Sequence, residues 1–143
     1  MENYIRENYK QYNLISSTTK CLNNAEDALK EIHKNYKFIC LDYNLNKNFN
    51  FLESIDDEIK DKIELLVNPI CGLNCKNRAN HYKLISNSIL NYNKSFALEN
   101  CKITTSNFDP KSTNRIEPNE IESYYAKNNF LHYKIEGRTF SSE

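Results

Sequence analysis

Three cysteines, Cys71, Cys75 and Cys101, have the residue type and spacing to bind a metal. Cys71 and Cys75 are separated by three residues, so their side chains face the same way if this segment winds into a helical turn. Cys101 lies in a loop-rich stretch, 95–118, that can reach back to them. Three thiolates can hold an iron–sulfur cluster with a fourth ligand from elsewhere, or zinc together with His81. The spacing therefore predicts a metal site, and the alternative is that these thiols pack as small apolar side chains.

The other two cysteines have different surroundings. Cys40 lies inside an apolar strand, which favours packing in the core. Cys21 follows the first predicted strand and is either a fourth ligand or an inert side chain. Five cysteines with irregular spacing also argue against a disulfide framework.

Apolar runs and amphipathic segments alternate along the chain and predict the elements that must position these side chains. The predicted strands are 12–20, 36–43, 63–68 and 130–136, and the predicted helices are 24–35, 50–60, 77–91 and 118–128. Such alternation, with strands that are apolar on both faces, is typical of a parallel sheet covered by helices.

The number of strand–helix units limits the architecture. Four units are too few for a closed eight-stranded barrel, so we predict a single β/α domain over residues 1–143. It is either half of a TIM-like barrel or a small open parallel sheet, with about four strands and four helices. The open edge of such a sheet needs cover from a second copy of the chain or from a partner chain.

Three of the predicted strands become polar near their carboxyl ends, which is where parallel β/α proteins bind ligands. Because side chains alternate between the faces of a strand, these polar groups share a face. The catalytic candidates on the last strand are Lys134, Glu136 and Arg138. The substrate-binding candidates are Asp42, Asn44, Glu64, Asn68, Arg78 and His81. The alternative is that these strand-end charges pair with one another or are solvated.

Composition excludes several classes of protein. Lys+Arg and Asp+Glu balance at 19 each, so no overall basic excess points to nucleic acid, although a local patch could still do so. With only two glycines, the chain lacks a glycine-rich phosphate loop and a dinucleotide fingerprint. The sequence has no apolar run of about 18 residues, so we predict no membrane span. The N-terminus lacks an apolar signal core, so we expect a cytoplasmic protein.

Two segments together resemble the collagenase-like peptidase family (family U-thirty-two). They are the pattern Val-Asn-x-x-Cys-x-x-x-Cys-x-x-Arg-x-x-His-Tyr within 63–82 and the closing Tyr-Lys-Ile-Glu-Gly-Arg at 133–138. Members are similar to β/α barrels, longer than this chain, and several carry a cysteine-ligated four-iron cluster. Some modify RNA or act in quinone hydroxylation. The resemblance implies that Cys71, Cys75 and Cys101 are cluster ligands and that Lys134, Glu136 and Arg138 line the pocket.

Two hypotheses from different classes follow. The first is an iron–sulfur protein that modifies RNA or a small molecule, in which Lys134 and Arg138 bind an anionic substrate. Glu136 would then orient these groups or act as an acid or base. The second is a non-catalytic binding or regulatory domain that associates with itself or with a partner, with structural zinc as a further option.

Overall fold

Helices and short strands alternate in the computed structural model, which describes residues 1–91 and 113–136. The helices are α1 (Glu2–Asn8), α2 (Ala25–Ile32), α3 (Phe49–Glu53), α4 (Asp57–Lys60), α5 (Arg78–Leu90) and α6 (Pro118–Glu120). The strands are β1 (Ile15–Ser16), β2 (Phe38–Cys40), β3 (Ile63–Leu66) and β4 (His132–Lys134). The predicted site residues Cys101 and Arg138 lie outside the described residues.

The four strands form one sheet in the order β1-β2-β3-β4, and each neighbouring pair is parallel. The predicted fold class, a small α/β fold with a parallel sheet, is therefore confirmed. Cys40 pairs in register with Glu64, and Leu66 pairs with Lys134. Residues in register share a face of the sheet, so these four side chains lie on the same side.

The opposite face of the sheet is packed against the helices. Ile39 and Leu65 are buried there against Ala28 of α2 and Leu52 of α3, in one apolar cluster. Phe130, two residues before β4, is also fully buried in that cluster. Burial of apolar surface at roughly 25 cal/mol per Å² makes this side of the sheet the main source of stability. The other face carries the buried Cys40 and Leu66 together with the partly exposed, polar Glu64 and Lys134.

Several elements differ in length from the sequence prediction. The predicted helix 50–60 is divided into α3 and α4, because the Ser54 hydroxyl donates to the Phe51 carbonyl at 2.7 Å and competes with the helical bonds. The predicted helix 118–128 begins at Pro118. It then widens into a π-helical turn over Ile121–Tyr125 and tightens into a 3-10 turn over Ala126–Asn128. All four strands are shorter than predicted, because ladder pairing stops where the chain turns away from its neighbour.

A polar network around Glu31 joins α1, α2 and the end of β1. The Glu31 carboxylate is 3% exposed, and it accepts from the Ser16 hydroxyl at 2.8 Å and from the Lys34 ammonium at 2.9 Å. The Lys20 ammonium contacts Glu31 as well and also reaches Glu2 at 2.9 Å. Neutralising the Glu31 carboxylate would leave the ammonium groups around it without their charged partner and would destabilise the folded state. The network therefore fixes the amino-terminal helix on the sheet.

We expect the Glu31 network to lose stability in acid. Burial raises the pKa of the Glu31 carboxyl, but the bonds from Lys20, Lys34 and Ser16 outweigh it and lower the pKa from 4.5 to about 2. A carboxyl whose pKa is lower in the folded state stabilises the fold above its unfolded pKa, and this contribution is lost as pH falls from about 4.5 to 2. Such a shift corresponds to about 3 kcal/mol.

Urea unfolding between pH 7 and pH 3 measures this contribution. Glu31→Gln should lower the free energy of unfolding at pH 7 by about 3 kcal/mol and make its decline in acid shallower. The matched control is Glu26→Gln, because Glu26 lies on the same helix with its side chain 80% exposed. A Glu31→Gln variant that declines as steeply as the wild type below pH 4.5 would contradict the assignment.

Candidate functional site

The segment 69–77, which contains two of the predicted metal ligands, is anchored over the carboxyl ends of β2 and β4. The Tyr43 hydroxyl donates to the Gly72 carbonyl at 3.0 Å, and the Asn74 amide donates to the Asn44 side-chain carbonyl at 2.9 Å. The Ile70 amide donates to Glu136 Oε1 at 2.6 Å. The segment is therefore held at both of these strand ends by specific hydrogen bonds.

A buried ion pair between Asp42 and Arg78 joins the end of β2 to the start of α5. The two side chains are 0% and 4% exposed, and Arg78 Nη1 donates to Asp42 Oδ1 at 3.2 Å while Nη2 contacts Oδ2. The guanidinium carbon lies 4.5 Å from the centroid of the Tyr43 ring. Burial lowers the pKa of Arg78, but Asp42 raises it further than burial lowers it, so the guanidinium stays charged. Arg78 is thus committed to Asp42.

Asn68 and Glu136 extend the pairing of β3 and β4 beyond the strands. Asn68 Nδ2 donates to the Glu136 carbonyl at 3.0 Å, and the Glu136 amide donates to Asn68 Oδ1 at 2.9 Å. Burial raises the pKa of the Glu136 carboxyl above its usual value, although the Ile70 amide and the charges of Arg78 and Lys134 act in the opposite direction. This carboxyl can therefore hold a proton at a higher pH than an ordinary glutamate.

Glu64 and Lys134 form an ion pair on the face of the sheet that lies away from the helical core. The Lys134 ammonium lies 3.0 Å from Glu64 Oε2, and the two side chains are 34% and 24% exposed. Cys40 is in register beside Glu64 and is 1% exposed. Burial raises the pKa of its thiol to about 12, so Cys40 remains a protonated core side chain, in agreement with its predicted role.

Cys71 and Cys75 are both half-buried on the anchored segment. The Cys71 sulfur contributes to the raised pKa of the Tyr43 and Tyr82 hydroxyls, which are raised mainly by burial. Within 1–91 and 113–136, no three His, Cys, Asp or Glu side chains are grouped closely enough to hold a metal ion. The described residues thus supply two of the three predicted thiolates, and Cys101 lies outside them.

His81 occupies an unusual environment in the first turns of α5. Its side chain is 5% exposed, and its Nε2 atom has no hydrogen-bond partner among the described residues. A buried imidazole nitrogen without a partner costs about 1–3 kcal/mol. Such an atom is suited to a ligand that supplies the missing contact.

The structure brings most of the predicted site residues to one end of the sheet, and it gives many of them structural partners. Asp42, Asn44 and Asn68 each bind neighbouring side chains or backbone, which agrees with the alternative of paired strand-end groups. Sequence reasoning missed Tyr43, whose aromatic ring supports Arg78 and whose hydroxyl binds the segment. Its position immediately after Asp42, at the carboxyl end of an apolar strand, is the signal that could have found it.

No protein-family model, curated protein or solved structure matches this chain. The resemblance to the collagenase-like peptidase family therefore stays a prediction. None of the described helices has the length and apolar character needed to cross a bilayer.

Breaking the Asp42–Arg78 pair should release the cysteine segment. Arg78→Met leaves a buried carboxylate without its partner, so we expect a loss of about 3–5 kcal/mol in unfolding free energy. Alkylation of Cys71 and Cys75, located by peptide mass spectrometry, should become faster in the same variant. The control is Arg115→Met, which removes a partly exposed pair with Glu117. Unchanged stability together with unchanged alkylation rates would show that the pair does not hold the segment.

Proposed function

We propose that this β/α domain holds a cysteine-ligated metal centre at the carboxyl end of its sheet, beside a site for an anionic small molecule or RNA. One observation carries the proposal. The segment with Cys71 and Cys75 is anchored through Asn44, Tyr43 and Glu136 at the strand ends where parallel β/α proteins bind ligands.

The proposed ligand set is Cys71, Cys75 and Cys101, with a fourth ligand from elsewhere for an iron–sulfur cluster. Both described thiols are half-buried, which suits a ligand that must be enclosed yet reachable. The buried Nε2 of His81 has no partner among the described residues, and His81 is the fourth ligand in the zinc alternative. Zinc binding would require Cys71, Cys75 and His81 to move closer together than they lie in this structure. An iron–sulfur cluster would supply electron transfer or Lewis-acid chemistry when bound.

The proposed substrate contacts come from the last strand. Lys134 is partly exposed and positively charged, and with Arg138 it would bind an anionic group. Glu136 would orient these groups or transfer a proton, because its raised pKa brings its ionisation closer to neutral pH. Arg78, Asn44 and Asn68 would act as positioning residues, since their polar groups bind the protein itself.

Metal analysis after oxygen-free purification tests the proposal. The wild type should contain iron and acid-labile sulfide, and the Cys71→Ala and Cys75→Ala variants should lose both. Cys40→Ala is the control, because Cys40 is a buried cysteine on β2 that is not among the proposed ligands. If zinc is found instead, His81→Ala should lower its content as well. Wild-type protein that contains neither metal would refute the proposed centre.

A second candidate function is association through the outer strands of the sheet. Exposed apolar side chains lie beside both outer strands, with Ile15 of β1 at 54% and Leu131 and Ile135 next to β4 at 56% and 64%. Outer strands with apolar neighbours favour pairing with another chain. We therefore propose that β4 docks on a second copy or on a partner chain.

The mass of the protein in solution tests this association. We expect a dimer or larger species by light scattering, and Ile135→Lys should convert it to a monomer because a lysine there opposes edge pairing. Ile89→Lys is the control, since Ile89 is equally exposed, at 70%, but lies on α5. A monomeric wild type that captures no partner would argue against this function.

A further inference from the structure

A cavity lies at the end of the sheet opposite the cysteine segment. Its volume is about 460 Å³, and part of its wall is formed by Leu14, Lys37 and Lys62, which immediately precede β1, β2 and β3. The helix α1 and the turn after it form the other wall. A volume in this range is that of a small-molecule site.

The wall of this amino-end cavity is basic. Four of its lining residues are cationic, namely Arg6, Lys10, Lys37 and Lys62, and no aspartate or glutamate lines it. The three lysines are exposed, and none forms an ion pair within the described ranges. The whole chain has no net charge, so this concentration of positive charge is local. Cationic side chains without carboxylate partners attract anions, above all phosphates.

Arg6 is held in place at the same cavity. Its Nε atom lies 3.0 Å from Glu2, its Nη1 atom donates to the Asn35 carbonyl at 3.3 Å, and its guanidinium carbon lies 4.6 Å from the Tyr36 ring centroid. These contacts fix the Arg6 guanidinium in the cavity wall next to the lysines. Arg6 therefore acts as a positioning residue, and the lysines provide the free charge.

The cavity also has an aromatic rim. The rings of Tyr9 and Tyr12 lie 6.2 Å apart, and the ring of Tyr4 lies 6.0 Å from that of Tyr9. Tyr9 and Tyr12 line the cavity and are 42% and 65% exposed. Exposed aromatic rings beside phosphate-binding cations are the arrangement on which nucleobases stack.

We propose that the amino-end cavity binds a nucleotide, with its base against Tyr9 and Tyr12 and its phosphate at Lys10, Lys37 and Lys62. The same chemistry is presented by a free mononucleotide and by a nucleotide within single-stranded RNA. The site lies at the opposite end of the sheet from Cys71 and Cys75. It is therefore independent of the metal centre and of the substrate site proposed there.

Calorimetric titration of the full chain with AMP, and anisotropy with a labelled oligoadenylate, test the proposal. Lys37→Glu combined with Lys62→Glu should weaken binding at least about tenfold, because each free lysine contributes to the phosphate contact. Tyr12→Ala should weaken AMP binding about tenfold through lost stacking, and Tyr12→Phe should retain it. Lys83→Glu combined with Lys127→Glu is the matched control, since these lysines are exposed, form no ion pair within the described chain and do not line the cavity.

The outcomes separate the sources of the nucleotide. Oligoadenylate that binds much more tightly than AMP, with steeper salt dependence, identifies single-stranded RNA, and equal affinities identify the free nucleotide. Absence of binding by both probes would overturn the proposal, as would an equal loss in the control pair. Inorganic phosphate that binds as tightly as AMP, with no effect of Tyr12→Ala, would overturn it as well. Cys71→Ala should leave nucleotide binding intact, so failure of the metal centre is distinguishable.

Discussion

The buried ion pair between Asp42 and Arg78 is the constraint on which the carboxyl end of the sheet depends. Its partners are 36 residues apart in sequence, and neither side chain is more than 4% exposed. Removing either charge would leave the other one buried without compensation, which would destabilise the fold. The pair therefore fixes where α5 begins, and with it the position of the segment that carries Cys71 and Cys75.

Charged side chains are paired differently at the two ends of the sheet. At the carboxyl end, most charged and polar side chains bind each other or the backbone, as Asp42 does with Arg78 and Asn68 does with Glu136. Near β1, the buried Glu31 forms ion pairs with Lys20, which follows β1, and with Lys34, which follows α2. The cavity beside that network keeps lysines without carboxylate partners within the described chain. Most described charges at the carboxyl end are thus paired within the protein, whereas the lysines of the amino-end cavity face solvent.

The fold could be predicted from sequence because the information is local. Apolar runs such as the one around Ile39 and Leu41 mark buried parallel strands. Alternation then separates the two faces of each strand, but only the register of β3 and β4 shows that Glu64 and Lys134 share a face. The break at Ser54 could not be read from periodicity, because it arises from a hydroxyl competing with the helical hydrogen bonds.

The candidate site was harder to predict because its contacts are long-range. Its strand-end residues follow from the parallel topology, but no pattern indicates that Arg78 binds Asp42 rather than a substrate. Glu31 had a weak local signal, since it lies three residues after Ala28 on the apolar side of α2. The grouping of Lys10, Lys37 and Lys62 with Tyr12 depends on how three strand starts meet one helix, which composition alone does not reveal.

The bond between Ile70 and Glu136 has a consequence for how the protein is made. The two residues are separated by 66 positions, so the loop that carries the thiols lacks this anchor until the last strand has left the ribosome. Domains begin to fold while synthesis proceeds from the amino terminus. The α1 and Glu31 region can therefore fold first, whereas the cysteine loop gains its Glu136 anchor only after β4 has been synthesised.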